Sequence, residues 1–220
     1  LKERIPANLY WTFGSAIMIG LVNHLYMFTN KLPNHDDVSV FYYKYSATSS
    51  GRWLIENLNL LDGVYSTPLL LGILGLIFLA LTSCIIVSIF ELKHRISCVL
   101  ISTILVSFPV VTATYSFMFT SDLYFFSLML AVLGGYLAIR FPRAGSLMCV
   151  VCITLSMAIY QAYFPVVAAI MVGYLALEVL NGNKSYQQII LHGIRLVVVL
   201  AVSMAVYMIT VEITTGKTGL

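Results

Sequence analysis

With 220 residues, 60% of them hydrophobic and only 10% charged, and a mean hydropathy of +0.94, this chain cannot clothe a water-facing surface. A soluble enzyme domain is excluded, and no nucleic-acid partner is expected: the net charge of +3 carries no such signal, because the basic residues sit between apolar runs. What remains is an all-α polytopic membrane protein, read as a single transmembrane module over residues 1–220 and expected to belong to a longer chain.

Lys2, Glu3 and Arg4 precede an apolar run from Ala7 to Phe28, too long for a signal peptide and sufficient for a spanning helix. Residues 29–67 then form a first outer loop. In it Val38, Phe41, Tyr42 and Tyr45 recur at i, i+3, i+4, i+7, and Leu54, Leu58 and Leu61 repeat the pattern with one step omitted. The spacing predicts two amphipathic helices lying on the interface, parted by Thr48-Ser49-Ser50-Gly51. A second span is predicted from Leu69 to Phe90. Pro68 suits its first turn, where a missing N–H costs nothing, and Ser66 or Thr67 suits its cap.

After the charged turn Glu91–Arg95, a third span runs from Ile96 to Ala113 and a fourth from Leu123 to Ile139, closed by Arg140 and Arg143. The stretch from Leu147 to Leu180 reads as two short spans of about 14 and 15 residues turning at Gln161. An even number of crossings keeps Arg140 and Arg143 on the same side as Lys184 and Arg195. A last run, Ile194 to Val211, brings the expectation to about seven spans.

Charge sets the predicted orientation. Lys2, Arg4, Lys93, Arg95, Arg140, Arg143, Lys184 and Arg195 share one side, against Lys31, Lys44, Arg52 and Lys217 on the other, so the first group is placed in the cytoplasm. Asp36, Asp37, Glu56, Asp62, Asp122 and Glu212 then face outward, together with a dense aromatic set. Chemistry is expected on that outer face.

Asp36 and Asp37 are the first candidates. Adjacent carboxylates repel, which suits one to take a proton from a hydroxyl while the other binds a hydroxyl or a cation; the plainer alternative is a solvated helix N-cap before Val38. Asp122 stands at the outer end of a span, where carboxylates are rare, although Asp before an apolar run is also a start signal. Arg52, the sole arginine assigned outward, could grip a phosphate with two parallel bonds or merely snorkel beside Trp53. Tyr160 and Gln161 offer a hydroxyl and an amide where two short helices meet.

Other patterns are set aside. Cys149-x-x-Cys152 lacks a second pair and lies in hydrocarbon, so packing is the better reading. Gly216-Lys217-Thr218 imitates the end of a P-loop, but Val211 fills the required earlier glycine position. Asn183-Lys184-Ser185 is a glycosylation sequon on the predicted cytoplasmic side, and His24, His35, His94 and His192 have no metal spacing. No metal site and no cofactor is assigned; a divalent cation is left open.

Taken in order, His35-Asp36-Asp37, Gly51-Arg52-Trp53-Leu54, Tyr115 through Asp122, and Ile159-Tyr160-Gln161-Ala162 resemble the type II Gtr glucosyltransferase family over about Leu9 to Leu180. These are bacterial membrane enzymes of the GT-C fold. The resemblance implies inverting transfer of a hexose, glucose by preference, from a polyprenyl-phosphate donor to a cell-surface glycan (O-antigen or cell wall) at the outward face of the inner membrane. It implies Asp36 or Asp37 as general base, and Asp122 as a second acidic group whose alignment is the looser one. Beside the resemblance, Arg52, Trp53, Tyr115, Tyr124, Tyr160 and Gln161 are expected to meet the donor phosphate and lipid. A transporter or flippase of lipid-linked sugars is the main rival, disfavoured because span centres carry almost no charge; a non-catalytic membrane subunit is the third.

Overall fold

The computed structural model describes residues 6–32, 34–40, 47–62 and 67–216, and among them every regular element is a helix. Lys2, Glu3, Arg4, Phe41, Tyr42, Lys44, Tyr45, Ser66 and Lys217 lie outside the described residues, as do the side chains of Asp37, Leu61 and Asp62. The helices are α1 (Ala7–Thr29), α2 (His35–Val40), α3 (Trp53–Asp62), α4 (Pro68–Ile89), α5 (Arg95–Ser107), α6 (Pro109–Tyr115), α7 (Ser121–Arg140), α8 (Ala144–Ile159), α9 (Phe164–Asn181) and α10 (Tyr186–Thr215).

Four helical stretches, Pro68–Ile89, Met118–Arg140, Gln161–Asn181 and Tyr186–Thr215, are long and apolar enough to cross a membrane. A fifth is added if α5 and α6, bent by 45° at their junction, count as one span. Of the other predicted crossings, α1 has the length at 23 residues but carries Asn8, Asn23 and His24, and α8 is apolar but only 16 residues long.

The predicted span Ile96 to Ala113 is broken inside. α5 stops at Ser107, and Phe108 adopts an extended ψ of 136°. Pro109 is the reason, since its ring disfavours helical geometry in the residue before it and it brings no N–H. The predicted start of the last span at Ile194 is also too late. α10 begins at Tyr186, where Ser185 Oγ accepts from Gln188 N at 3.3 Å and Gln188 Oε1 accepts from Ser185 N at 3.1 Å. That is a capping box. Pro68 does sit in the first turn of α4, with Thr67 at the cap position but making no side-chain capping bond. The break expected at Gln161 is present: α8 ends at Ile159, Tyr160 is extended, and a short 3₁₀ turn of Gln161–Tyr163 leads into α9.

The chain divides into two compact units, Leu1–Ser46 with Glu56–Met129, and Ala47–Ile55 with Leu130–Leu220. In the first, α1, α4 and α5 pack together along a seam of small residues. A Cβ on Gly20 would stand 2.2 Å from Leu76 Cδ1, and one on Gly72 2.3 Å from Phe28 Cδ1. Apolar attraction cannot drive helices together in lipid, so close backbone approach and polar contacts must. Ser15 and Ser102 share a hydrogen bond of 2.6 Å, Asn8 Nδ2 donates to the Leu92 carbonyl at 2.8 Å, and His24 Nε2 lies 2.8 Å from the Val106 carbonyl. A carbonyl only accepts, so His24 carries its proton on Nε2 and serves a carbonyl beside the Pro109 break.

The second unit is built from α8, α9, α10 and the later half of α7. Cys149 and Cys152 are free thiols buried in α8, and a Cβ on Gly134 would come within 3.2 Å of Cys152 Cβ. At the end of α9 remote from the Gln161 turn, Glu178 accepts from Tyr174 Oη at 2.8 Å, from Lys184 Nζ and from His192 Nδ1 at 3.1 Å, which fastens α9 to α10. Arg195 Nη2 donates to the Ala138 carbonyl at 2.9 Å.

Candidate functional site

In the second unit the chain from Ala47 to Arg52 forms a tight 3₁₀ turn that ends at Gly51 with φ +80°. Arg52 follows. Its guanidinium carbon lies 4.8 Å from the centroid of the Tyr160 ring, close enough for cation–π attraction, and Tyr160 packs edge-on against Tyr163 at 5.3 Å. Gln161 Nε2 donates to the Ser50 carbonyl at 2.7 Å and to Tyr207 Oη at 2.8 Å. Tyr207 Oη donates to the Gly51 carbonyl at 3.2 Å. Arg52, Tyr160 and Gln161, predicted from separate motifs, are thereby brought together. Trp53 is the first residue of α3 and is half-buried. A planar cation on an aromatic face, carried by a turn bonded at both carbonyls, is suited to a phosphate or another oxyanion.

The acidic candidates belong to the first unit. Asp36 and Asp37 occupy the first turn of α2, so Asp36 is not the cap of a helix starting at Val38. The Asp36 side chain is 58% exposed, with Oδ1 3.6 Å from His35 Nδ1. Just upstream, Asn34 Nδ2 donates to the Ser116 carbonyl at 2.6 Å. That bond ties the acidic segment to the corner between α6 and α7, which carries Tyr115 on one side and Asp122 on the other.

Asp122 is 3% exposed and is the second residue of α7, one position inside the helix and not its cap. A carboxylate in the first turn of a helix is favoured by the positive end of the helix dipole. Next to it, Thr120 is fully buried and its Oγ1 has no hydrogen-bond partner among the described residues. Such orphaned buried hydroxyls are uncommon in native structures. Tyr115 is 1% exposed, packed against the rings of His24, Phe28 and Phe125 at 4.9, 5.0 and 4.9 Å, with its hydroxyl on the Gly72 carbonyl at 3.2 Å. Tyr124 is buried at 8% exposure on the first turn of α7.

The family model of the glucosyl transferase GtrII matches residues 25–220. The chain belongs to this family. It is therefore a glycosyltransferase with several apolar helices of membrane-spanning character. No curated protein and no solved structure matches it. The GtrII match starts later than the resemblance seen in the motifs and runs on through α10, so every candidate residue above lies inside it.

Sequence reasoning missed Tyr207, which the GtrII match covers and the motifs did not. The available signal was a tyrosine in an apolar helix, since a buried phenol hydroxyl needs a partner. It missed His24 as well, whose ring position only the packing of α1 against α5 reveals.

Proposed function

We propose that this transferase moves a hexose, glucose by preference, from a polyprenyl-phosphate donor to a cell-surface glycan, O-antigen or cell wall, with inversion at the anomeric carbon. Asp36 or Asp37 takes the proton of the acceptor hydroxyl as its oxygen attacks C1, and the C1–O bond to phosphate breaks on the opposite face. A placed base contributes roughly 10²–10⁴ in rate. Arg52 grips the donor phosphate with its planar fork, in the bound donor and on departure alike. Asp122 is the second acidic group, while Trp53, Tyr115, Tyr124, Tyr160 and Gln161 serve the donor's phosphate and lipid. The reading includes a GT-C module of about seven spans in a bacterial inner membrane, with its active face outward, as the Lys/Arg distribution favours.

The observation that carries this reading, within a glucosyl transferase family, is the Asn34–Ser116 hydrogen bond, which links the acidic motif of the first outer loop to the corner bearing Asp122. The test uses the full-length protein in liposomes with radiolabelled glucosyl polyprenyl phosphate and a cell-surface glycan fraction. Label is expected in the glycan only when acceptor is supplied. Label that crosses between leaflets without acceptor indicates a flippase, and label that stays in place indicates a non-catalytic subunit; either sinks the proposal.

A further inference from the structure

Arg52 stands one residue beyond a turn whose own backbone bonds are short-range. Ser50 N and Arg52 N both donate to the Ala47 carbonyl, at 3.1 and 3.2 Å, and Gly51 N donates to the Thr48 carbonyl at 2.9 Å. Three-residue 3₁₀ turns have poor hydrogen-bond geometry and little stability of their own. What orients this one comes from far along the chain. Gln161 reaches the Ser50 carbonyl and Tyr207 reaches the Gly51 carbonyl, which are the two carbonyls immediately before Arg52.

The donor count of this network closes. The Gln161 amide has two hydrogens, one for Ser50 O and one for Tyr207 Oη; the phenol accepts that second bond and spends its single hydrogen on Gly51 O. Both backbone partners are carbonyls, which only accept, so the orientation of the amide and the rotation of the hydroxyl are determined. The Tyr207 ring is 1% exposed within the 30-residue helix α10, so its hydroxyl is delivered from a packed element. The close approach is built in. A Cβ on Gly51 would lie 2.5 Å from Tyr207 Oη, and the φ of +80° there disfavours any other residue. Through Gln161 the same network also holds the residue next to Tyr160, the ring on which the Arg52 guanidinium lies.

We propose that Tyr207 is the positioning residue for Arg52: its hydroxyl, with Gln161, fastens the Ser50–Gly51 carbonyls so that the guanidinium stands ready on Tyr160 before donor binds. Tyr207 acts through Arg52 and does not touch the donor. The proposal rests on the reading of Arg52 as the ligand of the donor phosphate. A preorganised cation spares the donor the cost of ordering the turn, so the loss should be read in donor affinity.

The test is a double-mutant cycle on the full-length protein in liposomes, following initial transfer rates against donor and against acceptor. Tyr207→Phe keeps the buried ring and removes only the hydroxyl. It is expected to raise donor KM about three- to tenfold, the scale of one lost hydrogen bond, with kcat and acceptor KM within about twofold of wild type. In an Arg52→Ala background the same change is expected to add almost nothing, because the group it positions is gone. Gln161→Met breaks the network from its other side and should show the same non-additivity, which keeps the idea testable if Tyr207→Phe does not fold. An unmoved donor KM in Tyr207→Phe, or an equal further rise on top of Arg52→Ala, overturns the positioning role. An unmoved donor KM in Arg52→Ala itself strikes the phosphate reading, and the positioning role falls with it.

Discussion

The two polar segments between α1 and α4 are held in contrasting ways. Asp36 rides on a six-residue helix with its side chain 58% exposed, and the bond from Asn34 to Ser116 anchors the chain two residues before it. Arg52 follows a turn whose last two carbonyls are bonded by side chains of Gln161 and Tyr207. A helix that short does not sustain itself in isolation, which leaves the exposed Asp36 carboxylate latitude. The guanidinium is set by partners that α10 and the α8–α9 junction hold in place. Under the proposed roles, a base that must meet an incoming hydroxyl tolerates such latitude, whereas a cation that recognises a fixed phosphate gains from being preset.

The sharpest way to break this contrast is at the acids. Asp36→Asn and Asp37→Asn are expected to include at least one change that lowers transfer by roughly 10²–10⁴. For Asp36 the thermal midpoint should stay unchanged, because the side chain is largely exposed. Wild-type turnover in both single variants removes the base from this segment. Next in size is Gly72→Ala, which sets a Cβ 2.3 Å from Phe28 Cδ1 and should cost about 1–3 kcal/mol by overpacking. A lower thermal midpoint in detergent, with donor KM unchanged below it, would mark the α1–α4 seam as stability alone; a raised donor KM would extend donor recognition into that unit.

Arg52→Ala is expected to raise donor KM about tenfold, equivalent to about 1.4 kcal/mol, and Arg52→Lys to recover only part of that, since an ammonium lacks the planar fork. Equal kinetics for all three proteins would leave Arg52 as an interfacial anchor. The smallest effect belongs to Ser185→Ala. Loss of the capping box at α10 should cost about 1 kcal/mol, read as faster amide exchange over the first turn, with Arg52-dependent kinetics untouched.

Several features of the fold were legible residue by residue. Pro68 announced the start of α4, because proline chemistry acts on neighbours in the chain, and the basic residues on either side of Leu147–Leu180 called for the break between α8 and α9. Pro109 breaks the predicted span Ile96 to Ala113 into α5 and α6 by the chemistry of proline, inside an otherwise apolar run. Ser185 and Gln188 also spelled out a helix start that hydropathy alone overlooked, since the first turns of α10 are polar. Within the candidate site, the acids and Arg52 stood out by residue type, while Thr120 and Tyr207 did not. An unpaired buried hydroxyl and a long-range donor have no local pattern to betray them.

Composition by itself settled that this chain lives among apolar surroundings as helices, because so few charges cannot face water and an unpaired backbone cannot face lipid. The order of its polar motifs was enough to point to the glucosyl transferase family. Which carbonyl each side chain holds was decided only in three dimensions. Tyr207 meets Gly51 across 156 positions of sequence and Gln161 meets Ser50 across 111, and a hydrogen bond between residues so far apart imposes no periodicity on either segment.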